Sequence, residues 1–111
     1  MIEVNEYVRT KDGKIDKVIN SNFYMSIYVE CEKGLYLIEN IVKHSKQLID
    51  LIEEGDYVNG HLVEEVRISC FDSSIFVHEY EIELHENDIK TILTKEQYMA
   101  NCYKVGGKQW D

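Results

Sequence analysis

The 111-residue chain contains no proline, only one alanine and no long hydrophobic run. Because a membrane-spanning helix needs about 20 predominantly apolar residues in succession, the sequence excludes such a helix. Its three cysteines are an odd number without a CxxC pair, and the chain does not start with an apolar signal segment. These absences predict a protein of a reducing compartment, the cytoplasm.

The sequence also lacks motifs of catalysis, metal binding or nucleotide binding. The four histidines and three cysteines form no pair with zinc-binding or helical i, i+4 spacing. There is no glycine-rich loop that could bind phosphate, and no serine lies in a nucleophile elbow. We therefore expect a binding protein that is not an enzyme and that uses no metal or cofactor.

Basic residues are scarce over much of the chain. The segment from Asp50 to Asp88 has twelve acidic residues and a single basic one, Arg67, whereas the remainder has eleven basic and nine acidic residues. The net charge of the whole chain is −9. Nucleic-acid backbones and anionic membranes repel such a chain, so we expect neither as a direct partner. Basic protein surfaces match it better.

A short helix is predicted from Ser45 to Gly55. Ser45 is a suitable N-cap, and Gly55 can end the helix in a left-handed conformation. Apolar residues recur at helical spacing on one face, at Leu48, Ile49, Leu51 and Ile52. We expect this face to be buried.

Two hairpins are predicted around turns that contain glycine. Asn59-Gly60 is the dipeptide that best adopts positive φ at both central positions of a type I′ turn, and His61 to Ile68 returns from it. Near the start, Ile2 to Thr10 and Ile15 to Asn20 flank a turn with Gly13. The charged residues of this first hairpin are expected to face solvent, and four of them are basic: Arg9, Lys11, Lys14 and Lys17.

Two longer stretches alternate between apolar and polar residues, as strands with one buried face do. In the first, Phe23 to Cys31, the polar face carries Tyr24 and Tyr28. In the second, Ile75 to Leu84, one face carries three glutamates in a row: Glu79, Glu81 and Glu83. Because these carboxylates repel each other, the row should face water or a cationic partner.

The remaining elements complete a small domain rich in β-structure. Leu35 to Val42 and Ile89 to Leu93 are predicted strands, and Thr94 to Gln97 fits a capping box that opens a helix through Asn101. Residues 105–111 either fold back through Trp110 or form a frayed tail. The sequence thus predicts one domain over residues 1–111. Its class is mainly β, a small curled antiparallel sheet or an SH3-like half-open barrel with two short helices.

Three runs of sequence, about half the chain in all, carry a resemblance to known proteins. They are NEYVRTKDGKIDKV (Asn5 to Val18), VKHSKQLIDLIEEGDYVNGHLVEEV (Val42 to Val66) and IKTILTKEQYMANCYKV (Ile89 to Val105). In this order they resemble a group of small accessory proteins encoded by phages and prophages of low-GC Gram-positive bacteria. The group includes no assigned catalytic residue. The resemblance implies a viral protein of the host cytoplasm, and compact acidic proteins of this kind include inhibitors of host defence.

Charge and resemblance leave three functional hypotheses open. The first is an inhibitor similar to anti-CRISPR proteins, whose acidic face binds the basic nucleic-acid-binding surface of a host defence protein. Its candidate residues are Glu64, Glu65, Glu79, Glu81, Glu83, Tyr24 and Tyr28. The second is an oligomer that sequesters a nucleotide-derived defence signal, bound by basic residues beside those tyrosines: Arg9, Lys11, Lys14 and Lys17. The third is a virion or regulatory interaction module.

Overall fold

A computed structural model describes residues 2–21, 27–103 and 105 of the chain. Within these residues the protein has ten β-strands and one α-helix, so the prediction of a mainly β fold is confirmed. The strands are antiparallel and lie in two sheets of five rather than in one curled sheet. An SH3-like half-open barrel stays a prediction. None of the described helices is long and apolar enough to cross a membrane.

The first sheet is built from the N-terminal part of the chain. Its strands are β1 (Tyr7–Thr10), β2 (Ile15–Asn20), β3 (Tyr28–Cys31), β4 (Gly34–Leu37) and β5 (Ile41–Ser45). They are arranged in the order β4-β3-β2-β1-β5, which makes β4 and β5 the edge strands. One face buries a small apolar cluster formed by Val8, Val18, Val29 and Cys31. The alternation of Val29 and Cys31 with exposed residues is the predicted pattern, and it holds over β3.

The second sheet follows in the chain. Its strands are β6 (Tyr57–Val58), β7 (His61–Arg67), β8 (Ser74–Val77), β9 (Ile82–Leu84) and β10 (Ile92–Leu93), in the order β10-β6-β7-β8-β9. It has its own buried apolar cluster, formed by Ile49, Ile52, Val58, Val63, Ile75 and Val77. Ile49 and Ile52 precede the sheet in sequence and cover its inner face.

Two local predictions are confirmed in detail. Asn59 and Gly60 have φ of 54° and 83°, as a type I′ turn requires, and Val58 lies opposite His61 across the hairpin. Thr94 caps α1 (Lys95–Asn101), and its hydroxyl accepts from the Gln97 amide at 3.3 Å while the Gln97 side chain accepts from the Thr94 amide. The capping box therefore forms with the predicted partners.

The predicted helix from Ser45 to Gly55 is wrong as an α-helix. Ser45 ends β5, where it lies opposite Tyr7 of β1, and only a short 3₁₀ helix (Leu48–Leu51) follows. The backbone of Ser45 is therefore extended, and its hydroxyl accepts from the Gln47 amide and donates to Asp50 instead of capping an α-helix. The expected burial of the apolar residues holds for Ile49, Leu51 and Ile52.

The predicted long strand from Ile75 to Leu84 is also wrong. His78, Glu79 and Tyr80 all have positive φ, between 55° and 67°, so the chain reverses between β8 and β9. The two halves pair with each other instead, with Val77 opposite Ile82. As a result Glu79, Glu81 and Glu83 do not form a row on one strand face.

Other predicted strands are shorter than expected. Leu35 to Val42 is divided between β4 and β5 by a 3₁₀ helix (Ile38–Asn40). Ile89 to Leu93 contributes only β10, after a 3₁₀ helix (Glu86–Asp88) at the predicted turn. Residues 22–26, and with them Tyr24, lie outside the described residues, as does Trp110.

Candidate functional site

The described residues contain no group of three or more His, Cys, Asp and Glu side chains that could hold a metal ion. The cysteines that the structure describes are free thiols. Burial raises the pKa of the Cys31 thiol to about 11, which keeps it protonated and poorly nucleophilic near neutral pH. Charged surfaces are the remaining candidate sites.

Five glutamates gather on β7, on β9 and in the turn between β8 and β9. We call this region the acidic end, and it comprises Glu64, Glu65, Glu79, Glu81 and Glu83. Glu65 lies opposite Phe76 of β8, and Phe76 lies opposite Glu83 of β9. Directly opposite residues share a face, so two carboxylates flank an aromatic ring across three strands.

One cation lies within the acidic end. The Arg67 guanidinium lies 4.5 Å from the centre of the Phe76 ring and forms an ion pair with Glu65. The hydrogen bond that Arg67 donates to the Glu65 carboxylate raises the pKa of Arg67. The Tyr80 ring also packs at a tilt against Phe76, with ring centres 6.4 Å apart. The centre of the acidic end is thus aromatic, and its charge is only partly neutralised.

The turn between β8 and β9 forms the tip of the acidic end. The Glu64 carboxylate accepts a hydrogen bond from the backbone amide of Glu79, which holds the turn against β7. Glu81 lies 3.5 Å from the His78 imidazole, and its side chain is 69% exposed. The left-handed backbone at residues 78–80 thus interrupts the line of carboxylates that one continuous strand would have formed.

His85 directly follows β9 and lies at the border of the acidic end. Its Nδ1 lies 3.0 Å from Asp72, and its Nε2 lies 3.6 Å from Glu83. The Asp72 carboxylate raises the pKa of His85. A protonated His85 would therefore reduce the negative charge at this border, so the acidic end is most negative above neutral pH.

Of the basic candidates, Lys11 and Lys14 lie beside Tyr28 around a cavity of about 430 Å³ on the first sheet. Leu35 and Leu37 provide the apolar part of its lining. The Lys14 ammonium lies 3.7 Å from Asp12, and this carboxylate also lines the cavity. The structure thus brings three of the predicted residues together, beside an acidic residue that opposes anion binding.

The prediction that Arg9 is a solvated, ligand-accessible residue is wrong. Its side chain is only 1% exposed and lies between the two sheets. The guanidinium donates to both carboxylate oxygens of Asp56, at 2.5 and 2.9 Å, to Glu96 at 2.6 Å and to the Leu51 carbonyl at 2.9 Å. Lys17 is also separate from the cavity residues, with its ammonium 5.7 Å from the centre of the Tyr7 ring.

The contacts of Arg9 form a buried ionic network. Asp56 is fully buried and also accepts from the backbone amides of Glu53 and Lys95. Burial alone would lower the pKa of Arg9, but the Asp56 carboxylate outweighs it and raises this pKa. Burial raises the pKa of Glu53, yet Lys95, Arg9 and Lys43 together lower it to about 2. The network joins the first sheet to α1 and to the second sheet.

The aromatic centre of the acidic end was missed by the sequence analysis. In the sequence, Arg67 is only the single cation of the acidic segment, and Phe76 and Tyr80 fall within the predicted strand from Ile75 to Leu84. The contact between the two rings occurs where the chain reverses at residues 78–80. The usual sequence signals of such a reversal are Gly and Asn, and neither occurs there.

No protein-family model, no curated protein and no solved structure matches this chain. The resemblance to phage accessory proteins therefore stays a prediction.

Proposed function

We propose that this chain is a non-enzymatic binding protein whose acidic end docks on a basic surface of a partner protein. The observation that carries the proposal is the convergence of five glutamates, on β7, on β9 and in the turn before β9, near the Phe76 and Tyr80 rings. Aromatic residues supply contact area in interfaces, and surrounding charges select the partner and steer its approach.

The class of partner follows from the charge. A surface with five carboxylates and the single cation Arg67 repels nucleic acid and attracts clusters of Lys and Arg. Such clusters are typical of proteins that bind nucleic-acid backbones. Together with the resemblance to phage accessory proteins, this supports a cytoplasmic inhibitor that occupies the nucleic-acid-binding surface of a host defence protein, as an anti-CRISPR protein does.

Binding kinetics test the proposal. The triple variant Glu79→Gln, Glu81→Gln, Glu83→Gln removes three exposed charges from the acidic end, and we expect binding to a basic defence nuclease to weaken about tenfold. The loss should lie mainly in the association rate and should shrink at high salt. The matched control is Glu3→Gln, Glu30→Gln, Glu32→Gln, which removes the same charge from the N-terminal part of the chain. Equal losses in both variants would reject a localised site.

A second candidate function rests on the cavity beside Lys11, Lys14 and Tyr28. A volume of about 430 Å³ lies within the range of small-molecule sites, and lysines beside a tyrosine are suited to a nucleotide-derived signal. Isothermal titration calorimetry against cyclic nucleotides and ADP-ribose derivatives tests it, with Lys11→Gln as the variant that should lose affinity. Absence of heat with every compound would remove this candidate.

The third hypothesis, a virion or regulatory interaction module, predicts different partners. In a pull-down from infected cells, the unmodified protein would then recover phage structural or regulatory proteins. Host nuclease activity would be the same with the unmodified protein and with the variant that lacks the three glutamates. This outcome would count against the inhibitor.

A further inference from the structure

The outer face of the second sheet carries a line of apolar side chains on three adjacent strands. Tyr57 of β6 lies opposite Leu62 of β7 on one side and opposite Leu93 of β10 on the other. Directly opposite residues share a face of the sheet. Val58 and Ile92, which alternate with this line, belong to the inner apolar cluster or pack against it. The line therefore points away from that cluster.

Tyr98 of α1 extends this line. Its ring stacks on Tyr57, with ring centres 5.2 Å apart. We call these side chains the apolar strip: Tyr57, Leu62, Leu93 and Tyr98. Leu62 is 46% exposed, Leu93 is 41% exposed and Tyr98 is 43% exposed. The helix α1 thus adds a side chain to the strip and leaves the strip open to solvent.

The apolar strip and the acidic end share this outer face. Phe76 lies between Ile75 and Val77, and both of these side chains are fully buried in the inner cluster. Because side chains alternate along a strand, Phe76 points outward. Glu65 and Glu83 lie directly opposite Phe76 on the two neighbouring strands, so they point outward with it.

β7 contributes to both halves of the face. The register of its pairing with β8 shifts between Val63 and Glu65, which is the signature of a bulge. The extra residue brings Glu65 to the same face as Leu62, three residues earlier and within about 10 Å along the strand. The outer face is thus apolar towards β10 and acidic towards β9.

The strands under this face restrict the form of a partner. β6, β7 and β8 each have a neighbouring strand on both sides, so a partner on the face contacts side chains and adds no strand. An extended segment laid there would leave its own backbone unpaired, whereas an α-helix pairs its backbone internally. From β10 to β9 there are four strand spacings, about 19 Å, which is the length of a helix of about 13 residues.

We propose that the outer face of the second sheet binds one α-helix of the partner protein. Lysine and arginine side chains of this helix lie over the acidic end, and its apolar side chains lie over the apolar strip. The inference rests on the proposed docking of the acidic end and adds the form of the element that docks. Charge complementarity selects the basic half of the helix, and burial of the apolar strip supplies affinity that charge alone does not.

Two synthetic helical peptides of about 14 residues test the inference. Both carry lysines in one half. On one face of the other half, the first peptide carries leucines and the second carries alanines, so their charges are equal. In isothermal titration calorimetry with the unmodified full chain, the leucine peptide should bind about tenfold more tightly, because it buries more apolar surface. Its heat capacity of binding should also be more negative, a readout that needs no variant.

Variants of the apolar strip locate the contact. Leu62→Ser and Leu93→Ser should each weaken binding of the leucine peptide about fivefold and leave the affinity of the alanine peptide within about twofold. Leu35→Ser is the matched control, since Leu35 lies in the first sheet and is 61% exposed. Equal affinities of the two peptides for the unmodified protein would overturn the inference. So would a loss at Leu35→Ser as large as that at Leu62→Ser.

The triple variant Glu79→Gln, Glu81→Gln, Glu83→Gln separates this inference from the proposed function. It should weaken binding of both peptides by the same factor, since the peptides carry the same lysines. If it does so while leucine gives no advantage over alanine, the acidic end docks by charge and only the helix inference fails. If it binds both peptides as tightly as the parent does, docking by charge fails, and the inference fails with it.

Two further results would assign the apolar strip to another occupant and overturn the inference. The first is a dimer of the unmodified protein in sedimentation velocity that Leu62→Ser dissociates, because the strip would then bind a second copy. The second is an affinity for the leucine peptide that rises about tenfold in Trp110→Ala, because the end of this chain would then compete for the strip.

Discussion

The two sheets have the same number of strands but place their polar and apolar residues in opposite ways. In the first sheet, Arg9, Thr10 and Asp16 are buried within strands, whereas apolar residues at the β4 edge are exposed. Among the described strands of the second sheet, the buried residues are apolar apart from Ser74, and the charged residues remain at the surface. The first sheet thus uses charge for internal structure, and the second presents it to solvent.

This difference changes the meaning of the charge distribution along the chain. The excess of basic residues outside the acidic segment suggested a second, basic surface. Arg9 instead neutralises buried carboxylates, and Lys43 and Lys95 lie 3.2 and 2.7 Å from Glu53. Carboxylates at the junction of the sheets therefore neutralise part of the positive charge. The acidic end, in contrast, keeps a net negative charge.

The largest expected effect comes from breaking the junction. Arg9→Leu leaves the fully buried Asp56 carboxylate without its cation, and we expect the free energy of unfolding to fall by about 3–5 kcal/mol. Denaturant unfolding followed by circular dichroism measures it. Lys14→Leu, at a side chain that is 59% exposed, is the matched control and should change stability by under about 1 kcal/mol.

A double variant separates the ion pair from loss of packing. Because removal of both charges leaves no unpaired buried ion, Arg9→Leu with Asp56→Leu should recover part of the lost stability. The recovery should be incomplete, since Asp56 also accepts from two backbone amides. If Arg9→Leu were as stable as Lys14→Leu, the junction would not depend on this ion pair.

Features were predictable from the sequence when the interacting residues lie close together along the chain. The Asn59-Gly60 turn and the Thr94 capping box are each encoded within a few adjacent residues, and both form as expected. The burial of Arg9 depends on partners 42 to 87 residues away, which periodicity cannot reveal. The glutamates of the acidic end stay candidate residues, and their geometry depends on a reversal that apolar-polar alternation does not reveal.

A smaller loss of stability is expected when a side chain is added at Gly13, close to the same junction. This glycine has φ of +86°, and an added Cβ would lie 2.3 Å from the Thr94 hydroxyl, which donates to the Gly13 carbonyl. Gly13→Ala should therefore lower the free energy of unfolding by about 2 kcal/mol or more, through left-handed strain and displacement of the helix cap. Gly60→Ala has nearly the same φ but nothing within 4 Å, and should cost only about 1 kcal/mol. Equal losses at the two sites would show that the contact with Thr94 is unimportant.

The hairpin of the second sheet provides the next test. Gly60→Val should lower the free energy of unfolding by about 1 kcal/mol or more, because a β-branched residue resists positive φ. Gly34→Val is the control, since Gly34 lies in β4 with open space around it and no positive φ. Thermal unfolding of the two variants should differ in midpoint. A Gly60→Val protein with the parent's melting curve would contradict a type I′ turn.

The smallest expected effect concerns the stability of the unbound acidic end, and its size depends on pH. The carboxylates of Glu79, Glu81 and Glu83 are exposed, and their main described cationic neighbours are Arg67 and two histidines. At about pH 8.5 repulsion among the carboxylates dominates, and their replacement by Gln should raise the free energy of unfolding by a few tenths of a kcal/mol. The pKa of His85 is raised by Asp72, so its stabilising contribution is full below its unfolded pKa and is lost as pH rises through the folded value. The gain in stability from the triple variant should therefore shrink between about pH 8.5 and pH 6, where His85 pairs with Glu83.

Differential scanning calorimetry at both pH values measures the change, with Glu3→Gln, Glu30→Gln, Glu32→Gln as the control of equal charge. A triple variant less stable than the parent at the higher pH would mean that these carboxylates are structural partners, and the acidic end would lose its support as a docking surface.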